Sequence, residues 1–139
     1  MHIDLAGRKA LVTGAAGGIG RAVALEFAAA GAQMALTDVP AASGALTELV
    51  AELAAGGHRA VALTADLRDR KAVITMAVEA EQALGGIDAL VNVAGVHLYP
   101  SPLLMITEED WDRVHAINVK APLLLCQALI PGMARRGRG

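Results

Sequence analysis

The chain has 139 residues, a formal net charge of −2 and 55% hydrophobic residues, which fits one globular α/β domain and excludes a disordered chain. This charge balance gives no broad attraction toward nucleic acid or an anionic membrane. One cysteine excludes an internal disulfide. Cys126 follows three leucines and is expected to be a small buried hydrophobe in a reducing compartment.

Targeting signals are not evident in the sequence. Residues 1–5 lack the basic and apolar regions of a signal peptide, and charges interrupt every apolar stretch within about 20 residues. The Arg-Gly cluster at 135–139 lacks the interleaved aromatics of an RNA-binding segment and suits an ordinary helix end. We therefore expect a cytoplasmic protein that binds neither membrane nor nucleic acid.

The first forty residues predict a strand, a turn, a helix and a second strand. Residues 9–13 form an apolar run that ends at glycine, as a buried parallel strand does. A glycine loop over 14–20 precedes a predicted helix over 21–30, which Gly31 closes. Residues 33–37 predict the second strand, with Asp38 at its carboxyl end.

The remainder continues this alternation. A helix over 43–55, a strand over 60–64, a helix from an Asp69 cap to residue 84 and a strand over 89–93 follow in order. A loop over 96–106 leads to a helix that starts at Thr107, and a separate apolar helix runs from near 119 to about 133. The sequence thus predicts the first four strands and flanking helices of a Rossmann-type, doubly wound parallel sheet, a fold of the α/β class.

The glycine loop carries the clearest functional signal, because it lies between a strand and a helix. Gly14 allows a tight turn, Gly18 lets backbone approach a pyrophosphate, and Gly20 allows close helix–strand packing. The helix that starts near Ile19 directs its unpaired N–H groups at the phosphates. A Walker loop is excluded, because Arg21 follows Gly20.

Asp38 stands 18 residues beyond Gly20, where an acidic side chain meets the adenosine ribose. A carboxylate accepts hydrogen bonds from ribose hydroxyls but repels a 2′-phosphate, and no Arg or Lys follows at 39–41. The sequence predicts NAD rather than NADP. A role for Asp38 as a turn cap is the weaker alternative.

Four segments in register resemble the short-chain dehydrogenase/reductase family over nearly the whole chain. They are Thr13 to Gly20, Asp66-Leu67, Asn92-Val93-Ala94-Gly95 and Asn118-Val119.

The resemblance implies a role for each segment. Asp66 and Leu67 would hold the adenine, while Asn92, Ala94 and Gly95 would border the ribose and support the sheet. Asn118 would be the catalytic-site asparagine that helps hold a proton-relay water. Val93 stands where the family usually has a second asparagine. The change is mild, because backbone atoms of this segment would make much of its contact with the cofactor. On residues alone, Asp66 could instead cap the turn before Arg68, and Asn118 could be an ordinary polar helix residue.

The family's serine and Tyr-x-x-x-Lys lie, by the resemblance, after the point where this chain stops. The one tyrosine, Tyr99, has Leu103 four residues on and cannot fill that motif. Tyr99 and His97 fit a surface loop, with a substrate-cleft lining as the alternative. The spacing of His58, His97 and His115 predicts no metal site.

The leading hypothesis is the N-terminal portion of an NAD-dependent oxidoreductase that transfers hydride between NAD and an alcohol or carbonyl substrate. We expect the 139-residue chain alone to be nearly inactive, with its fourth strand left as an open edge. The alternatives are a non-catalytic dinucleotide-binding module and a remnant that neither folds well nor binds. The apolar helix around 123–129 suits a homo-oligomer and equally suits burial against its own sheet.

Overall fold

The computed structural model describes residues 3–98 and 102–139, which form a four-stranded parallel sheet with helices on both faces. The strands are β1 (Lys9–Thr13), β2 (Gln33–Asp38), β3 (Ala60–Thr64) and β4 (Ala89–Asn92). The helices are α1 (Gly18–Ala29), α2 (Ser43–Ala55), α3 (Arg70–Leu84), α4 (Glu108–His115) and α5 (Ala121–Arg136). Short 3₁₀ turns occupy Pro40–Ala42 and Leu103–Met105, and a π-helical turn occupies Ala116–Lys120.

The strand order is β3-β2-β1-β4, so β1 lies inside the sheet and the chain crosses from one side of β1 to the other after β3. In the register, Leu11 of β1 stands beside Ala35 of β2 and Leu90 of β4. Because β1 and β2 are covered on both faces, most of their residues are buried, and the central ones are apolar. The predicted doubly wound α/β architecture is confirmed.

Two apolar layers hold the helices on the sheet. On one face, side chains of β1 and β2 pack with α1 and α2; on the other, they pack with α3 and α5. The first layer includes Val12, Met34, Leu36, Leu46, Leu49 and Leu53. The second includes Leu11, Ala35, Val73, Met76, Leu125 and Leu129. Cys126 is half-buried beside Leu125, so its predicted burial is only partial.

The predicted bounds of β1, α2, β3 and α3 are those of the structure, and the other boundaries differ by up to three residues. The largest difference is at α1, which begins at Gly18 rather than at Arg21. The N–H of Arg21 donates to the carbonyl of Gly17, so Gly18 and Gly20 are helical and not part of the loop. The caps were predicted correctly: Asp69 accepts from the N–H of Lys71 at 2.8 Å, and Thr107 accepts from that of Asp110 at 3.1 Å.

The prediction of two separate C-terminal helices is wrong, because α4 and α5 form one helical run from Glu108 to Arg136. Pro122 has no N–H to continue the helical ladder. The run passes it through the π turn, where the N–H of Ala121 donates to the carbonyl of Ala116. The wider π turn therefore keeps α4 and α5 continuous where two separate helices were predicted.

This run is the one helix in the described part of the chain that is long and apolar enough to span a membrane, by length and composition alone. Core helices of globular proteins meet the same test, and Leu125 and Leu129 are buried in the layer shared with α3. The expected absence of membrane binding and the cytoplasmic location stay predictions.

The C-terminal arginines bind groups of their own chain. Arg138 donates to the carbonyl of Gly7 at 2.6 Å and to the carboxylate of Asp88 at 2.8 Å. Arg136 donates to the carbonyl of Ile87. These contacts tie the end of α5 to the edge of the sheet where β1 and β4 begin. Among residues 3–98 and 102–139, β4 pairs with β1 and has no strand on its other side, so it is an edge strand, as predicted.

Candidate functional site

A cavity of about 470 Å³ opens at the carboxyl ends of the strands. It lies where the strand order reverses between β2 and β4 on either side of β1, which is where ligands bind in open α/β sheets. Its walls come from the glycine loop, the end of β2, the segments after β3 and β4, and the π turn. The lining residues are Thr13, Gly14, Gly17, Gly18, Ile19, Gly20, Thr37, Asp38, Val39, Ala65, Leu67, Val93, Ala94, Gly95, Val96 and Ile117.

The turn from β1 into α1 packs too tightly for side chains at two of its glycines. Gly14 has a φ of 66°, and a Cβ there would lie 2.8 Å from the Cα of Ala94. A Cβ on Gly20 would overlap the carbonyl of Gly14. These contacts match the turn and packing roles predicted for Gly14 and Gly20.

Gly18 differs from them, because no heavy atom lies within 4 Å of the position its Cβ would take. Gly18 is exposed and lines the cavity. Gly18 and Ile19 open α1, whose first N–H groups have no partner within the helix. The loop thus presents an amide-lined, electropositive helix end to an open space that suits an anionic group.

Asp38 places its carboxylate beside this loop. Oδ2 accepts from the N–H of Ala16 at 3.0 Å, and Oδ1 accepts from that of Val39 at 2.8 Å. No lysine or arginine is among the residues that line the described cavity, so Asp38 is its one ionisable lining residue there. The electrostatics of this end of the cavity are set by a carboxylate.

Thr13 links the end of β1 to the segment after β4. The residue is 2% exposed, and its hydroxyl accepts from the N–H groups of Val93 at 3.2 Å and Ala94 at 3.1 Å. These bonds hold the segment that leaves β4 against the end of β1. Ala94 and Gly95, both predicted site residues, are thereby brought to the cavity wall.

The segment after β3 contributes Leu67 to the cavity, whereas Asp66 does not line it. The Asp66 carboxylate accepts from the guanidinium of Arg68 at 2.6 Å and from its backbone N–H at 2.9 Å. The side-chain hydrogen bond from Arg68, followed by the backbone one, lowers the pKa of Asp66 below its ordinary value of 3.8. The geometry is that of the turn cap weighed as the alternative, and a contact with adenine stays a prediction.

The two predicted asparagines have different surroundings. Asn92 is exposed at the end of β4 and does not line the cavity. Asn118 lies in the π turn, and its amide bonds to the backbone of Val96: Oδ1 accepts at 2.9 Å and Nδ2 donates at 2.7 Å. The structure therefore brings Asn118 to the segment after β4. His97 is exposed in that segment, and Tyr99 lies outside the described residues.

Several lining residues were not predicted. Thr37, Val39, Ala65, Val96 and Ile117 contribute walls to the cavity. The first four adjoin strand ends that had been located correctly, and that position was the available signal. Among residues 3–98 and 102–139, no group of three or more His, Cys, Asp or Glu is placed to hold a metal ion. The expectation that the site uses no metal stays a prediction.

The parallel sheet, the glycine loop at a helix N-terminus and the carboxylate at the end of β2 define an α/β nucleotide-binding domain. The family model described as short chain dehydrogenase matches residues 8–139. The chain belongs to the short-chain dehydrogenase family.

Individual relatives and solved structures agree with this family assignment. The chain is 44% identical, over 94% of its length, to 1-deoxy-11-beta-hydroxypentalenate dehydrogenase of Streptomyces arenae, covering 46% of that protein. A blue fluorescent protein from a metagenomic library, solved in complex with NADPH, superposes with a TM-score of 0.88 at 41% identity, over 92% of this chain and 52% of that one. A metagenomic short-chain oxidoreductase in complex with NADP gives 0.90 at 36% identity, over 96% and 60%.

The chain spans about half the length of the curated relatives it matches. The two solved relatives described above are complexes with NADPH and NADP. They support a nicotinamide dinucleotide as the cofactor.

Proposed function

We propose that this chain forms the dinucleotide-binding part of an NAD-dependent oxidoreductase that transfers hydride between NAD and an alcohol or carbonyl substrate. One observation carries the proposal. The glycine loop and Asp38 meet at an open cavity, where the carboxylate is bonded to the loop's own backbone at Ala16. Phosphate-binding amides and a ribose-binding acid thus lie in one site.

The residues present fit the cofactor from its adenine to its second ribose. The N–H groups at the start of α1, around Gly18 and Ile19, would bind the pyrophosphate. Asp38 would accept from the adenosine ribose, and Leu67 would pack on the adenine, with Asp66 at its rim. Ala94 and Gly95 would border the other ribose. When bound, NAD supplies the group that accepts or returns hydride.

Electrostatics support NAD over NADP, although the two solved relatives described above carry NADP or NADPH. A 2′-phosphate would lie beside the Asp38 carboxylate. Each pair of unit charges about 4 Å apart repels by roughly 4 kcal/mol at an effective dielectric of about 20. No cationic side chain lines the described cavity to offset this. The glycine loop carries Ala15 and Ala16, not a basic residue.

This chain's own residues would bind and orient the cofactor rather than transfer a proton. Asn118 would act as a positioning residue, because its amide fixes Val96 beside the cavity. No Tyr-x-x-x-Lys occurs in the 139 residues, so we expect little turnover from this chain alone. The substrate, an alcohol or carbonyl compound, is assigned by class only.

Self-association is part of the proposal, as the family resemblance implies. Trp111, Val119, Leu123 and Ile130 are exposed along the α4–α5 run, while Leu125 and Leu129 on the same run are buried. Both interpretations of the apolar helix therefore keep support. The buried residues pack on the sheet, and the exposed ones remain for a second subunit.

The test is a titration of the purified chain with NADH and NADPH, read by nicotinamide fluorescence and checked by competition with ADP-ribose. We expect NADH to bind at least 10-fold more tightly than NADPH. Equal binding, or tighter binding of NADPH, would overturn the choice of NAD. Failure of both cofactors and of ADP-ribose to bind would overturn the dinucleotide site itself.

A further inference from the structure

The outer edge of β3 lacks the residues that usually prevent strand pairing. In the order β3-β2-β1-β4, β3 pairs only with β2 among residues 3–98 and 102–139. In the usual doubly wound order the later strands follow β4, which leaves β3 at the edge of the sheet. Natural edge strands are commonly protected by charged residues or proline, whereas β3 has the sequence Ala-Val-Ala-Leu-Thr and contains neither. This edge is therefore open to another strand.

The backbone of β3 directs three residues to the open edge. The carbonyl of Arg59 and the N–H of Ala65 both bond to β2. Hydrogen bonding alternates along a parallel ladder, so the odd-numbered residues from 59 to 65 bond to β2 and the even-numbered ones do not. The outward backbone groups therefore belong to Ala60, Ala62 and Thr64. Ala62 and Thr64 are exposed, and all three side chains are small.

These outward positions are symmetric about Ala62, which suits a second copy of the same strand. In an antiparallel pair centred there, Ala62 lies opposite its own counterpart, and Ala60 lies opposite Thr64. All three outward residues then exchange hydrogen bonds with the other copy. The contact is isologous, as in most two-fold dimers, because the same surface serves both subunits.

A groove beside the edge carries complementary charges for this arrangement. It has a volume of about 310 Å³ and lies between the end of β3 and α3, lined by Thr64, Asp69, Lys71, Ala72, Thr75, Met76 and Glu79. Lys71 and Glu79 stand two turns apart on α3, and neither has an ion-pair partner among residues 3–98 and 102–139. Two-fold pairing makes the two copies of α3 antiparallel, so the Lys71 end of one helix lies toward the Glu79 end of the other.

We propose that the outer edge of β3 is a self-association surface, at which two copies of the chain pair antiparallel about Ala62 and join their four-stranded sheets into one of eight strands. The surface is separate from the exposed face of the α4–α5 run and uses no residue that lines the dinucleotide cavity. A contact of five residues per strand is small, so the dissociation constant is expected to be on the order of 10–100 µM.

A single cysteine at the symmetry axis tests the register. In a Cys126→Ala background, Ala62→Cys places two thiols across the axis, at a Cα separation of about 5.5 Å that a disulfide can bridge. Thr64→Cys is the matched control, because Thr64 is also exposed on the outer side of β3. Its counterpart lies four residues further along the paired strand, about 13 Å away and out of reach. Under the same mild oxidation, Ala62→Cys is expected to form the linked dimer at least about 10-fold faster than Thr64→Cys.

Sedimentation equilibrium of the 139-residue chain, over about 5–500 µM, measures the association itself. Leu123→Lys disrupts the exposed face of the α4–α5 run and serves as the background, so that any remaining association belongs to another surface. The dimer is expected to persist in this background. Adding Ala62→Lys places a charge at the centre of the edge and is expected to weaken the dimer at least about 10-fold. Thermal unfolding midpoints of all variants show whether each one is folded.

Each outcome supports or overturns the inference. Faster cross-linking of Ala62→Cys, together with a dimer that Ala62→Lys weakens, supports it. A chain that stays monomeric in the Leu123→Lys background overturns it, and self-association then belongs to the α4–α5 run. Equal cross-linking of Ala62→Cys and Thr64→Cys also overturns it, because the pairing is then not centred on Ala62. Binding of NADH is measured separately, and its failure would overturn the proposed function while leaving this inference standing.

Discussion

Asn118 and Val96 are joined by two hydrogen bonds, in which the side-chain amide of Asn118 both accepts from the Val96 N–H and donates to its carbonyl. The amide pairs with Val96 much as a neighbouring strand would. It therefore holds the segment after β4 in place where β4 has no strand partner on its outer side within the described residues.

Asn118→Ala is expected to release this segment. Loss of two exposed hydrogen bonds should lower the free energy of unfolding by roughly 1–2 kcal/mol and speed amide hydrogen exchange at Val96. Val119→Ala, a truncation of the adjacent exposed side chain, is the control and should leave that exchange rate unchanged. Equal exchange at Val96 in all three proteins would show that the amide does not fix the segment.

Thr13→Val is expected to be more damaging, because the hydroxyl it removes is buried. The N–H groups of Val93 and Ala94 would lose their acceptor, with a loss of about 1–3 kcal/mol in the free energy of unfolding measured in denaturant. Thr13→Ser keeps the acceptor and should recover most of that loss. A valine variant as stable as the parent would mean that both N–H groups find another acceptor.

Gly18→Ala and Gly20→Ala form a pair that separates cofactor binding from folding. A methyl group at 18 meets no heavy atom and lies in a helix, so stability should stay level or rise by about 0.5–1 kcal/mol. The same methyl would narrow the approach to the helix end and weaken NADH binding about 10-fold or more. At 20 it would overlap the Gly14 carbonyl, so the thermal midpoint should drop sharply. Unchanged NADH affinity in Gly18→Ala would argue against a pyrophosphate at that loop.

Asp38→Asn tests the choice between the two cofactors. The amide keeps an acceptor for Ala16 but removes the negative charge, so the affinity for NADPH should rise about 10-fold or more. The affinity for NADH should fall by a smaller factor, because a neutral acceptor replaces a charged one. The ratio of the dissociation constants for NADPH and NADH, measured at two salt concentrations, reports the electrostatic contribution to the preference for NADH. A ratio that stays at the parent's value would show that Asp38 does not face the 2′ position.

Acid should weaken the fold through Asp66. Its pKa is lowered in the folded chain by the bonds from Arg68, so its contribution to stability is present above the unfolded value near 3.8. That contribution is lost as the pH falls through the lower folded value. The difference in unfolding midpoint between the parent and Asp66→Asn should therefore be constant near neutral pH and shrink below about pH 4. Because the pair is largely exposed, the difference should be small. A gap of the same size at pH 3 and pH 6 would contradict this assignment.

Local sequence patterns predicted much of this fold. The apolar runs at β1 and β2, the Asp69 and Thr107 caps and the glycine loop each follow from neighbouring residues, and each was located within a few positions. The joining of α4 and α5 could not be predicted that way, because a π turn that passes Pro122 depends on how the whole run packs. The Asp66–Arg68 contact was predicted only as one of two alternatives, since an aspartate at this position can either cap the turn or face a ligand. Thr37 was not predicted as a lining residue, because its place beside Ala65 and Leu67 becomes visible only in three dimensions.

The bonds from Arg138 to Gly7 and Asp88 fasten the last turn of α5 to the end of the sheet where β1 and β4 begin, opposite the cavity. None of these three residues lines the cavity. The sheet is therefore clamped at one end by contacts that owe nothing to a bound cofactor, and the carboxyl ends of its strands are left open to receive one.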